Sequence, residues 1–301
     1  MGDQLDQLRQ RVANGVAAPP SAEVPSQFKS ARVLAIASGK GGVGKTNVVV
    51  NLSISLAKQG HRVLVLDADL GLANVDVLLG IAPPHTLWHA IYGQLPLSEV
   101  IFRSRYDLQI LAGASGVEGL ADLPDSQREL LLKRLSYLEE QYDFLIIDCG
   151  AGVDHNVLGF TCAADEVLLV CTPEPTAVMD VYGLVKLIHR RGGTPKLSLI
   201  MNQVERASEG QNAADSICDV ADKFLNVTIG TQYFIPRDPG VVQAVKRQQP
   251  IVECLPTSPA ARALTSLAQA IGGMEPVPPA RIGFFQRVGQ LMSQPPVRRT
   301  T

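Results

Sequence analysis

The chain has 301 residues, of which 46% are hydrophobic and 19% are charged, so it can bury a sizeable core. A formal net charge of −2 gives no overall attraction to nucleic acid, and no segment approaches the roughly 20 apolar residues of a membrane span. The five cysteines include no C-x-x-C pair, which argues against zinc or an iron–sulfur cluster and favours a cytoplasmic protein with reduced thiols.

Short apolar runs alternate with segments of helical spacing through the middle of the chain. This alternation is typical of α/β folds, and it predicts a mostly parallel central sheet flanked by helices in three layers. The predicted strands lie near residues 32–37, 61–69, 108–111, 142–148, 166–171, 197–201 and 228–234. The predicted helices lie near 48–58, 125–141, 176–190, 211–225 and 258–271.

A glycine-rich loop follows the first predicted strand and precedes the first predicted helix. It fits the phosphate-binding pattern G-x-x-x-x-G-K-[ST], in which backbone amides and the helix N-terminus hold the phosphates of a nucleotide. Lys45 is expected to reach the β- and γ-phosphates, and Thr46 to offer its hydroxyl to Mg²⁺. The predicted nucleotide-binding residues of the loop are Gly39, Lys40, Gly41, Gly42, Val43, Gly44, Lys45, Thr46 and Asn47.

Aspartates end two further predicted strands, where parallel sheets bind ligands. Asp67 and Asp148 are the expected carboxylates of the Mg²⁺ site, together with Thr46. Asp69 is expected to orient or deprotonate the attacking water, because phosphoryl transfer depends on positioning and charge compensation. After Asp148, the small residues Gly150 and Gly152 permit a backbone change that senses the γ-phosphate.

The run 40–46, Lys-Gly-Gly-Val-Gly-Lys-Thr, resembles the deviant Walker A loop of the MinD/ParA family of ATPases. The resemblance implies a P-loop NTPase fold, ATP and Mg²⁺ as cofactors, hydrolysis of ATP to ADP and phosphate, and an ATP-bound homodimer. In that family the first lysine crosses the dimer interface, which implies a catalytic role in trans for Lys40; without the resemblance, a solvated lysine is an equally good interpretation. The segment 67–74 resembles the family's switch I, which implies a further contact for Asn74.

Two later strand ends resemble the adenine-binding segments of the same family. Asn202 follows the predicted strand 197–201, and the stretch Ile-Pro-Arg-Asp ends at Asp238. Asn202, Pro236 and Asp238 are assigned to the adenine site on this resemblance, and ordinary strand-end turns are the alternative.

The N-terminal segment 1–30 combines a short amphipathic helix with a linker rich in Pro, Ala and Ser. Its start resembles the Asp-Gln-Ala-x-x-Leu-Arg motif of the FlhG/FleN group of MinD-like ATPases, which control flagellar number and placement; Leu5 stands where that motif has alanine. In that group the segment docks on the GTPase FlhF and stimulates GTP hydrolysis. The resemblance implies partner-binding roles for Asp3, Gln4, Leu8 and Arg9.

The C-terminal segment 273–301 follows the predicted ATPase domain 31–272 and contains a proline-rich linker and an amphipathic helix. One half of that helix is apolar, the pattern of a helix that lies on a membrane surface. Packing against the protein's own core or against a dimer partner is the alternative. The predicted membrane-facing residues are Ile282, Phe284, Phe285, Val288, Leu291 and Met292.

The combined resemblances imply an ATP-dependent switch on the inner face of the cell membrane. The implied partners are a second copy of the chain, FlhF, flagellar switch (C-ring) proteins and a flagellar transcriptional regulator; direct DNA binding is not expected. Two alternatives stay open at this point: a MinD-type ATPase that positions the division site, and a ParA-type ATPase that segregates DNA. The 30 residues before the first strand argue against MinD.

Overall fold

The computed structural model describes residues 30–69, 74–93, 95–113, 120, 123–274 and 282–293. Within these residues the chain forms one eight-stranded sheet with the order β3-β4-β2-β5-β1-β6-β7-β8. The strands are β1 (Arg32–Ser38), β2 (Val63–Asp67), β3 (Phe102–Arg103), β4 (Gln109–Leu111), β5 (Phe144–Ala151), β6 (Glu166–Cys171), β7 (Lys196–Val204) and β8 (Gln232–Pro236). All neighbouring pairs are parallel except β3 with β4.

The sheet is covered by helices on both faces, which confirms the expected three-layer α/β architecture. The helices are α1 (Lys45–Lys58), α2 (Val75–Leu79), α3 (Leu87–Ile91), α4 (Leu97–Val100), α5 (Asp125–Ser136), α6 (His155–Ala163), α7 (Pro175–Arg190), α8 (Ala207–Leu225), α9 (Pro239–Lys246), α10 (Ile251–Cys254), α11 (Pro259–Gly272) and α12 (Phe284–Met292). A 3₁₀ turn, Tyr137–Glu140, joins α5 to the segment before β5.

The two faces of the sheet carry separate hydrophobic clusters, because successive side chains of a strand point to opposite sides. In β1, Val33 and Ala35 face the cluster that contains α5, α6, α7, α8 and α12. Leu34 and Ile36 face the cluster that contains α1, α9, α10 and α11. Burial on both faces explains why the central strands are almost continuously apolar in the sequence.

Several predicted elements differ from the observed ones at their ends. The strand expected over 228–234 begins only at Gln232, and α8 ends well before it, at Asn226, which adopts a left-handed conformation (φ 54°). The helix expected from residue 211 already begins at Ala207. Helix α6 was not predicted, and it starts where the Asp154 side chain accepts a hydrogen bond from the Val157 amide at 2.8 Å.

None of the helices within the described residues is both long and apolar enough to cross a bilayer. The C-terminal helix α12 is nine residues long and packs on α5 and α6. Its apolar side chains belong to the same cluster as the side chains beneath the sheet. Within the segment 273–301, which the sequence assigns to a separate C-terminal unit, α12 therefore contributes to the core of the ATPase domain.

Candidate nucleotide site and its surroundings

The glycine-rich loop lies between β1 and α1, with α1 beginning at Lys45. Gly44 has φ +90°, a conformation that residues with a Cβ rarely adopt, and a Cβ there would meet Asn202 Nδ2 at 2.4 Å. A Cβ on Gly39 would meet the backbone carbon of Asp180, in α7, at 2.3 Å. The loop is thus fixed in shape and wedged between α7 and the end of β7, as a phosphate cradle requires.

Two buried carboxylates and one lysine lie beside the loop. Asp67 and Asp148 are direct neighbours in the β2–β5 register, and both are 1% exposed. Lys45 Nζ bonds Asp148 Oδ1, and the Thr46 hydroxyl also hydrogen-bonds the Asp148 carboxylate. The predicted metal residues Thr46, Asp67 and Asp148 are therefore brought together.

Burial makes these carboxylates costly to ionise. Desolvation, with a further contribution from Asp148, raises the pKa of Asp67 to about 7, although three backbone amides oppose the shift. The pKa of Asp148 is also raised by burial, against the stabilising charge of Lys45. Their oxygen donors, with the Thr46 hydroxyl, suit the coordination preferences of Mg²⁺, which takes few protein ligands alongside phosphate oxygens and water.

The predicted switch residues lie around the same carboxylates. The Asp69 amide donates to Asp67 Oδ1 at 3.2 Å, and the Asn74 amide donates to Asp67 Oδ2 at 3.2 Å. A Cβ on Gly150 would lie 3.9 Å from Asp69 Cγ, so the two predicted switch segments are adjacent. The Gly152 amide donates to Ser38 O at 3.0 Å, so in this conformation it is engaged with β1 and not directed at a phosphate.

Lys40 is held away from its own nucleotide site in this conformation. Its Nζ bonds Glu174 Oε2 and lies 3.2 Å from Thr176 Oγ1, both at the N-terminus of α7. The Lys40 side chain is 30% exposed and Glu174 64% exposed, so this pair contributes little stability and can exchange partners. Sequence reasoning missed Glu174 and Thr176 as contacts of Lys40, because they lie more than 130 residues away.

The expected adenine site corresponds to a cavity of about 590 Å³. Gly42, Asn47, Asn202, Pro236 and Asp238 line it together, as the sequence predicts for a single site. The lining also includes a residue that sequence reasoning missed, Gln203, whose φ of 58° comes from the bulge between Met201 and Val204 in β7.

Two of the predicted adenine residues have structural partners in this conformation. Asn202 Nδ2 donates to the Val43 carbonyl at 2.7 Å and so ties the end of β7 to the phosphate loop. The Asp238 carboxylate accepts hydrogen bonds from the Gly240 amide at 2.8 Å and the Ala260 amide at 3.1 Å. Asp238 thus caps α9 and contacts the start of α11, and these bonds lower its pKa despite desolvation.

The C-terminal helix presents its apolar side to the protein. Phe284, Phe285, Val288 and Met292 are buried, with exposures between 0% and 5%, whereas Ile282 is 40% exposed. Leu291 is partly buried against the same cluster. In this conformation the six residues predicted to face a membrane do not form a free lipid-binding surface, because the groove between α5 and α6 covers most of them.

The remaining predictions concern the cysteine thiols, a metal cluster and the N-terminal partner-binding residues. Cys149 is fully buried and burial raises its pKa, which favours packing over reactivity. Among the described residues, no three His, Cys, Asp or Glu side chains form a cluster that could hold a metal ion. Asp3, Gln4, Leu8 and Arg9 lie outside the described residues.

Comparison with known proteins shows the family to which the chain belongs. Residues 31–199 match the family of AAA domains. The chain is 29% identical to the septum site-determining protein MinD of Pyrococcus horikoshii, solved in complex with Mg-ADP, with a TM-score of 0.67 over 80% of this chain and 96% of that one. The chain therefore belongs to the MinD/ParA family of P-loop ATPases.

Within that family, the sequence comparisons point to one group. The chain is 40% identical over 240 residues to the antiactivator FleN of Pseudomonas aeruginosa, covering 80% of this chain and 86% of FleN. It is 35% identical over 190 residues to the flagellum site-determining protein YlxH of Helicobacter pylori, covering 63% and 64% of the two chains. The chain is a member of the FlhG/FleN group, as its N-terminal motif predicts.

Proposed function

We propose that the protein is an ATP-dependent dimerisation and membrane switch that regulates flagellar number and placement. Its 40% identity to an antiactivator and its similarity to a flagellum site-determining protein support the flagellar role. Two features support the switch. The apolar face of α12 is buried in a groove of the protein, and Lys40 is bonded to an exposed residue, Glu174, which it can exchange for another partner.

The catalytic part of the proposal follows from the carboxylates. Lys45 compensates charge on the β- and γ-phosphates, while Thr46, Asp67 and Asp148 would hold Mg²⁺, which supplies further charge neutralisation. Asp69 orients the attacking water from the neighbouring switch segment. Lys40 leaves Glu174 and reaches the nucleotide of a second copy, so dimerisation needs bound ATP.

The membrane part follows from the buried helix. Phe284, Phe285, Val288 and Met292 each contribute about 1.5 to 3 kcal/mol when buried, whether in the groove or in lipid. Because the two environments compete for the same side chains, a small change at the groove shifts the helix between them. Two released helices in one dimer raise avidity by about 10² to 10⁴, so dimerisation makes a weak anchor effective.

Liposome co-sedimentation of the full chain tests the switch. We expect binding with ATP to exceed binding with ADP, and removal of residues 281–301 to abolish the difference. Equal sedimentation with ATP, with ADP and after the deletion would contradict the proposal. DNA co-sedimentation with ATP is the parallel test for a ParA-type role, and we expect no binding.

The partner assignments rest on the FlhG/FleN resemblance of residues 1–30. We propose that Gln4 and its neighbours dock on FlhF and stimulate its GTP hydrolysis. We also propose that C-ring proteins and a transcriptional regulator respond to whether the protein has ATP bound. Full-length protein should accelerate GTP hydrolysis by purified FlhF, whereas the Gln4→Ala variant should not. An absence of stimulation would favour the alternative, a MinD-type positioner of the division site, which the similarity to MinD structures supports.

A further inference from the structure

A buried guanidinium lies where three helices meet. Arg191 follows the last residue of α7, is 9% exposed, and forms no ion pair with any residue in the part of the chain that the structure describes. Its Nε is buried without a hydrogen-bond partner. Burying a cation in this way is costly, so the bonds that its remaining nitrogens make are expected to matter.

One nitrogen of Arg191 bonds two different helices. Nη2 donates to the Leu291 carbonyl of α12 at 2.6 Å and lies 3.0 Å from Nε2 of His155. A cation at a helix C-terminus satisfies a free carbonyl and interacts favourably with the helix dipole. Arg191 therefore holds the C-terminal end of α12, while the Glu139 carboxylate holds its N-terminal end through the Phe284 and Phe285 amides.

The other partner of Arg191, His155, lies next to the predicted switch segment of the nucleotide site. His155 is the first residue of α6 and follows directly on the segment 149–154, which contains the predicted γ-phosphate sensors Gly150 and Gly152. Because His155 continues directly from that segment, a rearrangement there would displace the start of α6 and the imidazole with it. The opposite end of α7 contacts the phosphate loop, where Thr176 lies 3.2 Å from Lys40 and the Asp180 backbone packs on Gly39.

We propose that Arg191 is a positioning residue that couples the ATP state to the docking of α12, with His155 as the link. When the segment after Asp148 rearranges around ATP, His155 draws the Nη2 group away from the Leu291 carbonyl and α12 loses its C-terminal anchor. This inference rests on the proposed membrane switch and specifies the residues through which that switch is operated.

The link predicts opposite effects for its two members. Arg191→Ala removes the anchor, so α12 should open with either nucleotide. His155→Ala leaves the Leu291 carbonyl as an acceptor for Nη2 but cuts the connection to the nucleotide site, so α12 should stay docked with either nucleotide. If both residues served only as packing, both variants would loosen α12 in the same direction.

Amide hydrogen exchange over residues 284–292 tests the coupling, measured with ADP and with ATP in an Asp69→Ala background that retains the bound nucleotide. We expect ATP to accelerate exchange in the parent. With ADP, Arg191→Ala should exchange about 10-fold faster or more, the factor expected for a lost hydrogen bond to a charged group. His155→Ala should show slow exchange with both nucleotides. The matched control is Arg190→Ala, which removes the same charge from the adjacent, exposed position and should behave like the parent.

The inference is overturned if Arg191→Ala exchanges like Arg190→Ala, or if His155→Ala keeps the acceleration by ATP or opens as Arg191→Ala does. Equal exchange of the parent with ADP and ATP would contradict the coupling as well. Failure of the proposed function is a separate result: the full chain would then bind liposomes equally with ADP and ATP, whatever the exchange of the variants shows.

Discussion

The phosphate site and the C-terminal helix differ in how closely the sequence determines the environment of their side chains. At the phosphate site, each group is specified by a short motif and then fixed by burial, as with Lys45 and Asp148. At α12, the sequence specifies only an apolar face, and that face suits a membrane and a protein groove equally well. The phosphate site suits one task, the binding of phosphate, whereas the apolar face of α12 can be buried in either of two environments. A switch requires two such alternative environments.

The largest effect is expected at the phosphate site. Asp69→Ala should lower the rate of ATP hydrolysis by about 10² to 10⁴ while ATP binding is retained, because the variant loses the group that positions water. The dimer should accumulate with ATP. Phosphate release and gel filtration measure these two results, and rapid turnover by the variant would show that Asp69 has another role.

The next effect concerns the lysine that connects the two regions. Lys40→Ala should leave ATP binding by the monomer nearly unchanged, because the Lys40 side chain bonds Glu174 and Thr176 at the N-terminus of α7. ATP-dependent dimerisation should be lost. Light scattering with ATP checks this, and Lys45→Ala is the contrasting variant, because it should also lose nucleotide binding. A Lys40→Ala dimer with ATP would contradict the role in trans.

A third prediction concerns the fit of α12 in its groove. Gly159→Ala places a Cβ 2.9 Å from Met292 Cε, and overpacking of this kind costs about 1 to 3 kcal/mol. The variant should bind liposomes more strongly with ADP, by about 5- to 150-fold.

The matched control for that variant is Gly183→Ala, since Gly183 also lies inside a helix but has no atom within 4 Å of the added Cβ. Gly183→Ala should leave liposome binding unchanged. Equal behaviour of the two variants would mean that the contact between Gly159 and Met292 does not govern docking.

The most gradual effect is a pH dependence of the nucleotide-free protein. Burial raises the pKa of Asp67 to about 7, above its value in the unfolded chain, so the folded state binds more protons between about pH 4 and pH 7. The free energy of unfolding should therefore fall as the pH rises through this window, by at most about 1.4 kcal/mol per pH unit. Urea unfolding at several pH values measures the slope. Asp67→Asn should flatten it, and an unchanged slope would assign it to other groups.

The contrast between the two regions also explains how far sequence alone could reach. The loop 38–47 and the aspartates at the ends of β2 and β5 were predictable because each is a local motif at the edge of a predicted parallel sheet. The resting contact of Lys40 with Glu174 and the bond of Asn202 to the phosphate loop were not, because they join segments more than 130 residues apart. Whether α12 packs on the protein depends on the shape of the groove between α5 and α6, and an amphipathic sequence pattern contains no information about that shape.

The central claim, that α12 leaves its groove to bind a membrane, is most directly tested by locking the helix in place. Gly159→Cys with Met292→Cys joins α6 to α12, since a Cβ on Gly159 lies 3.2 Å from Met292 Cγ, one bond away from Met292 Cβ, and a disulfide needs a Cβ–Cβ separation of about 3.5 to 4.5 Å. Liposome co-sedimentation with ATP is compared before and after reduction, with Met292→Cys alone as the control, because it carries no added Cβ at Gly159. We expect the oxidised double variant to stay in solution and the reduced one to bind. Equal binding in both states would contradict the account.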